Sequence, residues 1–321
     1  MSHVITHIIE HGGAVKEFHI ARQDGAAVAG WLPGAHIVLH FASRDGRTFE
    51  NHYSLIGMAP AATAHHRYRI AVQREEHGNG GSRCLHDEIA TGSAVGLSGP
   101  FNSFPPDLVQ RSPAARVLLI AGGIGITPLL SMAHALNARS LPFELHYLAR
   151  NAGRLALMDQ LRGMPHATLH VHLSQQAGRA DLAQLLGGYG AGDSCYACGP
   201  GLLMQGLAQA GARLGWPAGA LHVESFGARA QQQDTMLTVE LSLSHITVQV
   251  APGTPILDAL IAAGVFVSYD CQRGECGNCY TPVLHGQPVH RDICLTPAMR
   301  AEGMCTCVSW AAAPGRLVLE L

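Results

Sequence analysis

The sequence predicts a multi-domain protein of mixed β and α/β class: an antiparallel β-barrel, a doubly wound parallel sheet, and a small C-terminal domain. Three observations predict it. Short apolar runs punctuated by turn residues extend from Phe18 to about Leu97, strand and helix patterns alternate from Arg116, and a polar stretch precedes new period-two strands at Leu237.

In the first region the apolar runs are Trp31 and Leu32, His36 to Phe41, Tyr53 to Ile56 and Tyr68 to Val72. Their spacing is that of a small antiparallel barrel, interrupted by one helix-like insertion near Cys84 to Ile89. In the second, the buried-strand pattern Val117 to Ile120 is followed by Phe143 to Leu148, Ala167 to Leu173 and Cys195 to Ala197, with helical patterns between them. Such alternation is expected of a parallel sheet covered by helices, a dinucleotide-type domain. Ala228 to Thr235 lacks apolar periodicity and reads as a linker. Beyond it, two period-two runs flank a Ser244-His245 turn, and Pro255 to Ala263 reads as a helix. The expected domains are residues 1–106, 107–230 and 236–321.

Composition supports a folded chain and excludes several classes. Of 321 residues, 47% are hydrophobic and 14% charged, with 37 glycines, which fits a compact protein rich in tight turns. A formal net charge of -2 favours neither a nucleic-acid backbone nor an anionic membrane surface. The first thirteen positions have neither the basic start nor the apolar core of a signal peptide, and the apolar stretch Val117 to Leu130 is broken by glycines and Pro128. A cytoplasmic protein is expected. The nine cysteines are therefore not a disulfide framework, and four of them crowd into or just after one C-terminal loop.

That loop carries the most specific motif. Cys271, Cys276 and Cys279 form a C-x4-C-x2-C run, the plant-type [2Fe-2S] spacing. Gly274 and Gly277 let the loop wrap closely, so that its amides can point at the cluster sulfurs. Zinc prefers paired C-x2-C knuckles, and only one such pair stands here. For the fourth ligand, Cys305 and Cys307 are two apart and would share a strand face, so pattern does not separate them. Cys294 reads as a structural thiol.

The turn Ala121-Gly122-Gly123-Ile124-Gly125-Ile126-Thr127-Pro128 follows a buried strand and opens a helix, with Thr127 expected as N-cap and Pro128 as first helical residue. Glycines there let the backbone approach a pyrophosphate. A second turn, Cys198-Gly199-Pro200, ends a later strand at the same carboxyl edge. Cys195 and Cys198 point to opposite faces of an extended strand, so they suit neither a disulfide nor a zinc knuckle. The twenty histidines include His170 and His172 in one strand, and His65-His66; their scatter reads as surface and core polarity rather than a metal site. His290-Arg291-Asp292 reads equally as docking surface or solvated turn.

Asn51-His52-Tyr53-Ser54, then Gly78-Asn79-Gly80-Gly81-Ser82-Arg83, then the two glycine turns and the cysteine loop, occur in one fixed order. The whole chain thereby resembles the phthalate dioxygenase reductase family, which includes vanillate demethylase and carnitine monooxygenase reductases. The resemblance implies a barrel that binds FMN, FAD being the lesser expectation, a domain that binds NADH or NADPH, and a β-grasp plant-type ferredoxin domain. It places Asn51, His52, Tyr53 and Ser54 along the flavin and Gly80, Gly81, Ser82 and Arg83 at its phosphate. Gly122, Gly123, Gly125, Thr127, Gly199 and Pro200 fall at the pyridine nucleotide. Ser54, Cys198, Glu224 and Phe226 lie at the reacting rings, and Cys271, Cys276, Cys279 and Cys307 hold the cluster. Where the family writes Arg-x-Tyr-Ser, this chain has Asn51, so Arg83, Arg74 or a nearby histidine is expected to grip the phosphate instead. No carboxylate stands in Ser174-Gln175-Gln176, where NADH enzymes often hold the adenosine ribose, and Arg150 or Arg179 could meet a 2'-phosphate; NADH is the expected donor, with dual use open. The implied function is the reductase of a Rieske-type terminal oxygenase, either a dioxygenase or a demethylating monooxygenase of aromatic catabolism. The flavin would convert a two-electron hydride donor into single-electron delivery. The alternatives are a non-enzymatic iron-sulfur carrier or sensor, and a general NADH-dependent flavin or ferric reductase.

Overall fold

The computed structural model describes residues 2–321 except 13, 59–65, 77–79, 109–114, 227–233, 275 and 313–314. His65, Gly78, Asn79 and most of the expected linker lie outside the described residues.

Six strands build the barrel: β1 (His3–His11), β2 (Val15–Arg22), β3 (His36–Ala42), β4 (Thr48–Ser54), β5 (Tyr68–Gln73) and β6 (Ala94–Phe101), with helix α1 (Gly81–Asp87) before β6. The hydrogen-bonded order is β4-β3-β6-β1-β2-β5. One antiparallel bridge, Leu55 to Ile70, joins the two ends. Ile5, Phe18, Ile20, Ile37, Leu39 and Ile70 fill the interior, all fully buried. Glu17 is also buried; its carboxylate accepts from Arg69 Nε at 2.7 Å and meets the His11 and His19 rings at 3.0 and 2.7 Å. Burial raises its pKa, but the Arg69 guanidinium and the two imidazoles outweigh that and hold it below the ordinary carboxylate range. Trp31 and Leu32, expected in a strand, lie in a loop with Trp31 buried and Leu32 exposed.

The central sheet has the order β11-β10-β7-β8-β9. Its strands are β7 (Val117–Gly122), β8 (Phe143–Ala149), β9 (Ala167–Leu173), β10 (Ser194–Gly199) and β11 (Leu221–Ser225). Between them run α2 (Ile126–Ala138), α3 (Met158–Arg162), α4 (Ser174–Ala177), α5 (Leu182–Leu186) and α6 (Gly201–Arg213). β10, β7, β8 and β9 pair in parallel. Every residue of β7 and β10 is buried, the signature of interior parallel strands covered on both faces. Leu119, Ala121, Leu145 and Tyr147 meet α2 residues in one cluster that also takes Val15, Ile56 and Ala71 from the barrel. This shared core makes residues 1–76 and 80–224 one compact unit.

The second unit contains residues 225–321. Its main sheet, order β13-β12-β18-β14-β16, is formed by β12 (Leu237–Leu241), β13 (Thr247–Val250), β14 (Tyr280–His285), β16 (Gly303–Cys305) and β18 (Arg316–Leu319). β15 (Pro288–Val289) and β17 (Trp310–Ala311) form a separate pair, and helix α8 (Pro297–Glu302) precedes β16. Helix α7 (Ile256–Ala262) lays Ile256, Leu257 and Leu260 onto Leu237, Val239, Leu317 and Leu319. A mixed sheet with parallel β12 and β18 under one helix is the expected β-grasp. In His290-Arg291-Asp292 the first two residues are half-buried. Asp292 is fully buried and paired with Arg300 at 3.0 Å, and Arg291 pairs with Asp234.

Candidate functional site

Strand β4 ends at Ser54, whose hydroxyl is buried with no hydrogen-bond partner among the described residues. A buried hydroxyl left in this state costs about 1–3 kcal/mol unless a ligand meets it, so the site fits a polar ring edge. Tyr53 lies two residues from Asn51, and the Asn51 amide donates to its phenol oxygen at 2.9 Å. Burial pushes the Tyr53 phenol upward, so it stays protonated. His52, between them, points outward and is exposed.

Beyond the undescribed segment, Gly80 adopts φ 97° and leads into α1. A Cβ on Gly81 would stand 2.6 Å from the Asn51 amide nitrogen, so any larger residue there would have to displace the Asn51 side chain. Two guanidiniums converge on Gly80. From the place its Cβ would occupy, Arg83 Nη2 is 3.6 Å away and Arg47 Nη1 is 3.7 Å away. Arg47 stacks over the Phe49 ring at 5.0 Å, which fixes its direction. Arg74 is spoken for by Glu76 and Asp87. Ser82 is partly engaged as well, its hydroxyl accepting from the Glu75 N–H at 3.0 Å. Sequence reasoning missed Arg47, whose only signal was a cation in the turn before an x-x-Tyr-Ser strand.

The two glycine turns of the central domain meet backbone to backbone. A Cβ on Gly125 would fall 2.2 Å from the Cys198 carbonyl oxygen, and one on Gly199 would fall 2.9 Å from Gly122 Cα. Pro200 closes the seam against Gly122, at 2.9 Å from that glycine's would-be Cβ. Gly123, at φ 56°, faces open space. Thr127 is not the N-cap: a 3-10 turn over Gly123–Gly125 winds directly into α2, which starts at Ile126 with Gly125 as cap. The Thr127 hydroxyl therefore turns back and donates to the Ile124 carbonyl at 3.0 Å. Cys198 is fully buried, its thiol 3.9 Å from the Glu224 carboxylate on β11, itself 1% exposed. Phe226 follows that strand and is partly exposed.

In the second unit the cysteine loop turns through Gln272, Gly274 and Gly277, all at positive φ. A Cβ on Gly274 would stand 2.7 Å from Val308 Cγ2. The N–H groups of Arg273 and Cys276 both donate to Cys271 Sγ at 3.4 Å, and that of Asn278 to Cys276 Sγ at 3.5 Å. Amides aimed at sulfur are the environment a ligating thiolate needs. Cys279 receives the thiols of both Cys305 and Cys307, which pulls its pKa down to about 3 and raises both donors. The two donors differ in their other neighbours. Cys307 feels Cys271 and accepts from the Gly274 N–H, whereas Cys305 lies 3.7 Å from Cys294.

Comparison with known proteins agrees with both halves of the chain. Residues 239–312 match the family model described as the 2Fe-2S iron-sulfur cluster binding domain. A heme-dependent oxidative N-demethylase beta subunit of Ectopseudomonas mendocina is 39% identical over 88% of this chain and 87% of that protein. The vanillate O-demethylase oxidoreductase of Pseudomonas putida is 37% identical over 96% of this chain and 95% of its own. Phthalate dioxygenase reductase, solved as a modular structure for electron transfer from pyridine nucleotides to [2Fe-2S], aligns at a TM-score of 0.76 and 32% identity, over 100% of this chain and 98% of that one. With a flavin-type barrel, a nucleotide seam and a cluster loop in one chain, and relatives this similar along nearly its whole length, the protein belongs to the phthalate dioxygenase reductase family.

Proposed function

We propose that this chain carries electrons from NADH through FMN and a [2Fe-2S] cluster to a Rieske-type terminal oxygenase. The observation that carries the reading is the thiol loop, with backbone amides already aimed at Cys271 and Cys276, in the same chain as the two-turn glycine seam. Residues 1–106, 107–230 and 236–321 would serve as the flavin, nucleotide and cluster domains.

A bound flavin accepts a hydride's two electrons together and releases them one at a time to an iron-sulfur centre. The chain's share is positioning. Ser54 would donate its unengaged hydroxyl to the flavin ring, with Asn51, His52 and Tyr53 flanking it on the same strand. Arg47 and Arg83, joined by Gly80, Gly81 and Ser82, would hold a terminal phosphate. Two guanidiniums suit a dianion better than the shared diester of FAD, which favours FMN. Gly122, Gly123, Gly125, Thr127, Gly199 and Pro200 would admit the pyridine nucleotide, while buried Cys198 and Glu224, with Phe226, would border the ring that gives up hydride. Ser174, Gln175 and Gln176 form the exposed turn of α4, and the Gln175 N–H donates to the Arg150 carbonyl at 3.0 Å; NADH is the expected donor, with Arg150 leaving dual use open. Cys271, Cys276, Cys279 and Cys307 would hold the cluster, with Cys307 preferred over Cys305 because of its contacts with the loop. Residence in the cytoplasm is expected, where thiols destined for a cluster stay reduced.

The test is an anaerobic titration with NADH and, separately, NADPH, following flavin and cluster absorbance, with the flavin extracted and identified. Bleaching of both chromophores by NADH and release of FMN is the expected result. A cluster that stays oxidised beside no flavin would leave only the carrier reading. The similarity to a protein named for a haem-dependent demethylase favours a haem acceptor as the competing partner, and single-turnover reduction of Rieske and haem oxygenases side by side separates the two.

A further inference from the structure

A cluster of ligand-type side chains lies on the outer strands of the central sheet. β8 and β9 pair with His146 opposite His170 and Leu148 opposite His172. Side chains two apart along a strand share a face, so Glu144, His146, His170 and His172 project from the same side. The His146 and His170 rings stack with centroids 4.7 Å apart and planes 13° from parallel. His146 Nδ1 lies 3.1 Å from His172 Nε2. His146 Nε2 is buried without a hydrogen-bond partner among the described residues, and its acidic neighbour is Glu144 Oε2 at 3.7 Å. One ligand atom each from Glu144, His146 and His170 falls within 4.8 Å of the others.

Two features of this arrangement suit a cation. In the tautomer in which His146 donates through Nδ1 to His172, its Nε2 keeps a buried lone pair facing the Glu144 carboxylate, and a positive ion between them would satisfy both. The Nδ1 bond is also the outer hydrogen bond that metal-ligating histidines use to fix tautomer and ring direction. Two imidazoles and one carboxylate, finally, are a recognised donor set for zinc with an open fourth position.

We propose that Glu144, His146 and His170 bind one zinc-class divalent ion, with His172 orienting His146. Tetrahedral zinc needs donors about 3.3 Å apart, so donors that now lie within 4.8 Å of one another must close by up to about 1.5 Å. His170 is exposed and Glu144 half-buried, and both can turn toward the fixed His146 without disturbing the core beneath. The ion would tie β9, the outermost strand of the sheet, to β8.

The experiment uses tag-free holoprotein with its iron content verified, titrated with zinc against a chromophoric chelator. One zinc per chain is expected, with iron content unchanged and the melting temperature raised. His170→Ala and Glu144→Gln should each weaken binding at least tenfold and remove the thermal shift; His170 is exposed, so that variant keeps the fold. His172→Ala should weaken binding about 10- to 100-fold, as loss of an outer hydrogen bond does. Unchanged zinc affinity in His170→Ala and Glu144→Gln would overturn the proposal, as would zinc uptake that tracks iron loss.

Discussion

The seam between the two glycine turns yields the most quantitative prediction. In Gly125→Ala the new Cβ would sit 2.2 Å from the Cys198 carbonyl oxygen and 2.7 Å from the Gly199 N–H nitrogen. Ordinary van der Waals contact begins near 3.4 Å, so the turns must part by about 1 Å, and both partners are backbone that no rotamer change can move. Overpacking of this kind costs about 1–3 kcal/mol, a fall of several degrees in melting temperature for a domain of this size. A misplacement of about 1 Å also costs about 100-fold in a step that depends on alignment. Gly163→Ala is the control, because its Cβ meets open space at an ordinary φ and lies outside the seam. Stopped-flow flavin bleaching by NADH, run well below each variant's melting point, should show Gly125→Ala slowed about 100-fold and Gly163→Ala close to wild type. If folded Gly125→Ala bleaches within about threefold of wild type, the seam does not position the nucleotide and the reasoning fails.

The remaining predictions concern single side chains. Cys307→Ser should abolish the cluster's visible absorbance while Cys305→Ser retains it; the reverse pattern would reassign the fourth ligand. Arg47→Ala should weaken FMN at least tenfold, since a charge-assisted bond contributes about 1.5–3 kcal/mol, and leave riboflavin binding unchanged; equal loss for both flavins would mean Arg47 does not meet the phosphate. Glu17 has a folded pKa below its unfolded value of 4.5. Its contribution is therefore complete above that value and lost as the pH falls through the lower folded one. Glu17→Gln should lose about 1–3 kcal/mol at neutral pH by removing the charge that Arg69 and the two imidazoles share, and should flatten the acid limb of stability; denaturant melts across pH read both.

The parts of the fold that follow a strict period were readable in the sequence. Val117 to Gly122 is apolar throughout because it is buried on both faces, and the cysteine loop is legible because four thiols must meet two irons at fixed reach. β1 was missed. Its buried positions are His3 and Ile5, the register shifts before His7, and a strand with four of its nine residues histidine or glutamate resembles a polar tail until β2 pairs with it. The N-cap role given to Thr127 failed for a related reason: a glycine 3-10 turn runs into the helix in register, and no propensity rule registers that. Arg47 and His146 belong to a third kind. Each matters through partners that only the pairing of strands brings close, Gly80 across the barrel and His170 across the sheet.

The barrel's closure has a consequence for motion. Among the described residues the ends of the sheet meet through one bridge, Leu55 to Ile70, and local opening starts where few hydrogen bonds must break. That point is one residue from the unengaged Ser54 hydroxyl. The barrel should therefore breathe at the same place where it would receive its cofactor, and a flavin seated there would act as the clasp of the cylinder. Amide exchange at Leu55 and Ile56 would then report occupancy directly, fast in the stripped protein and slow once the ring is seated.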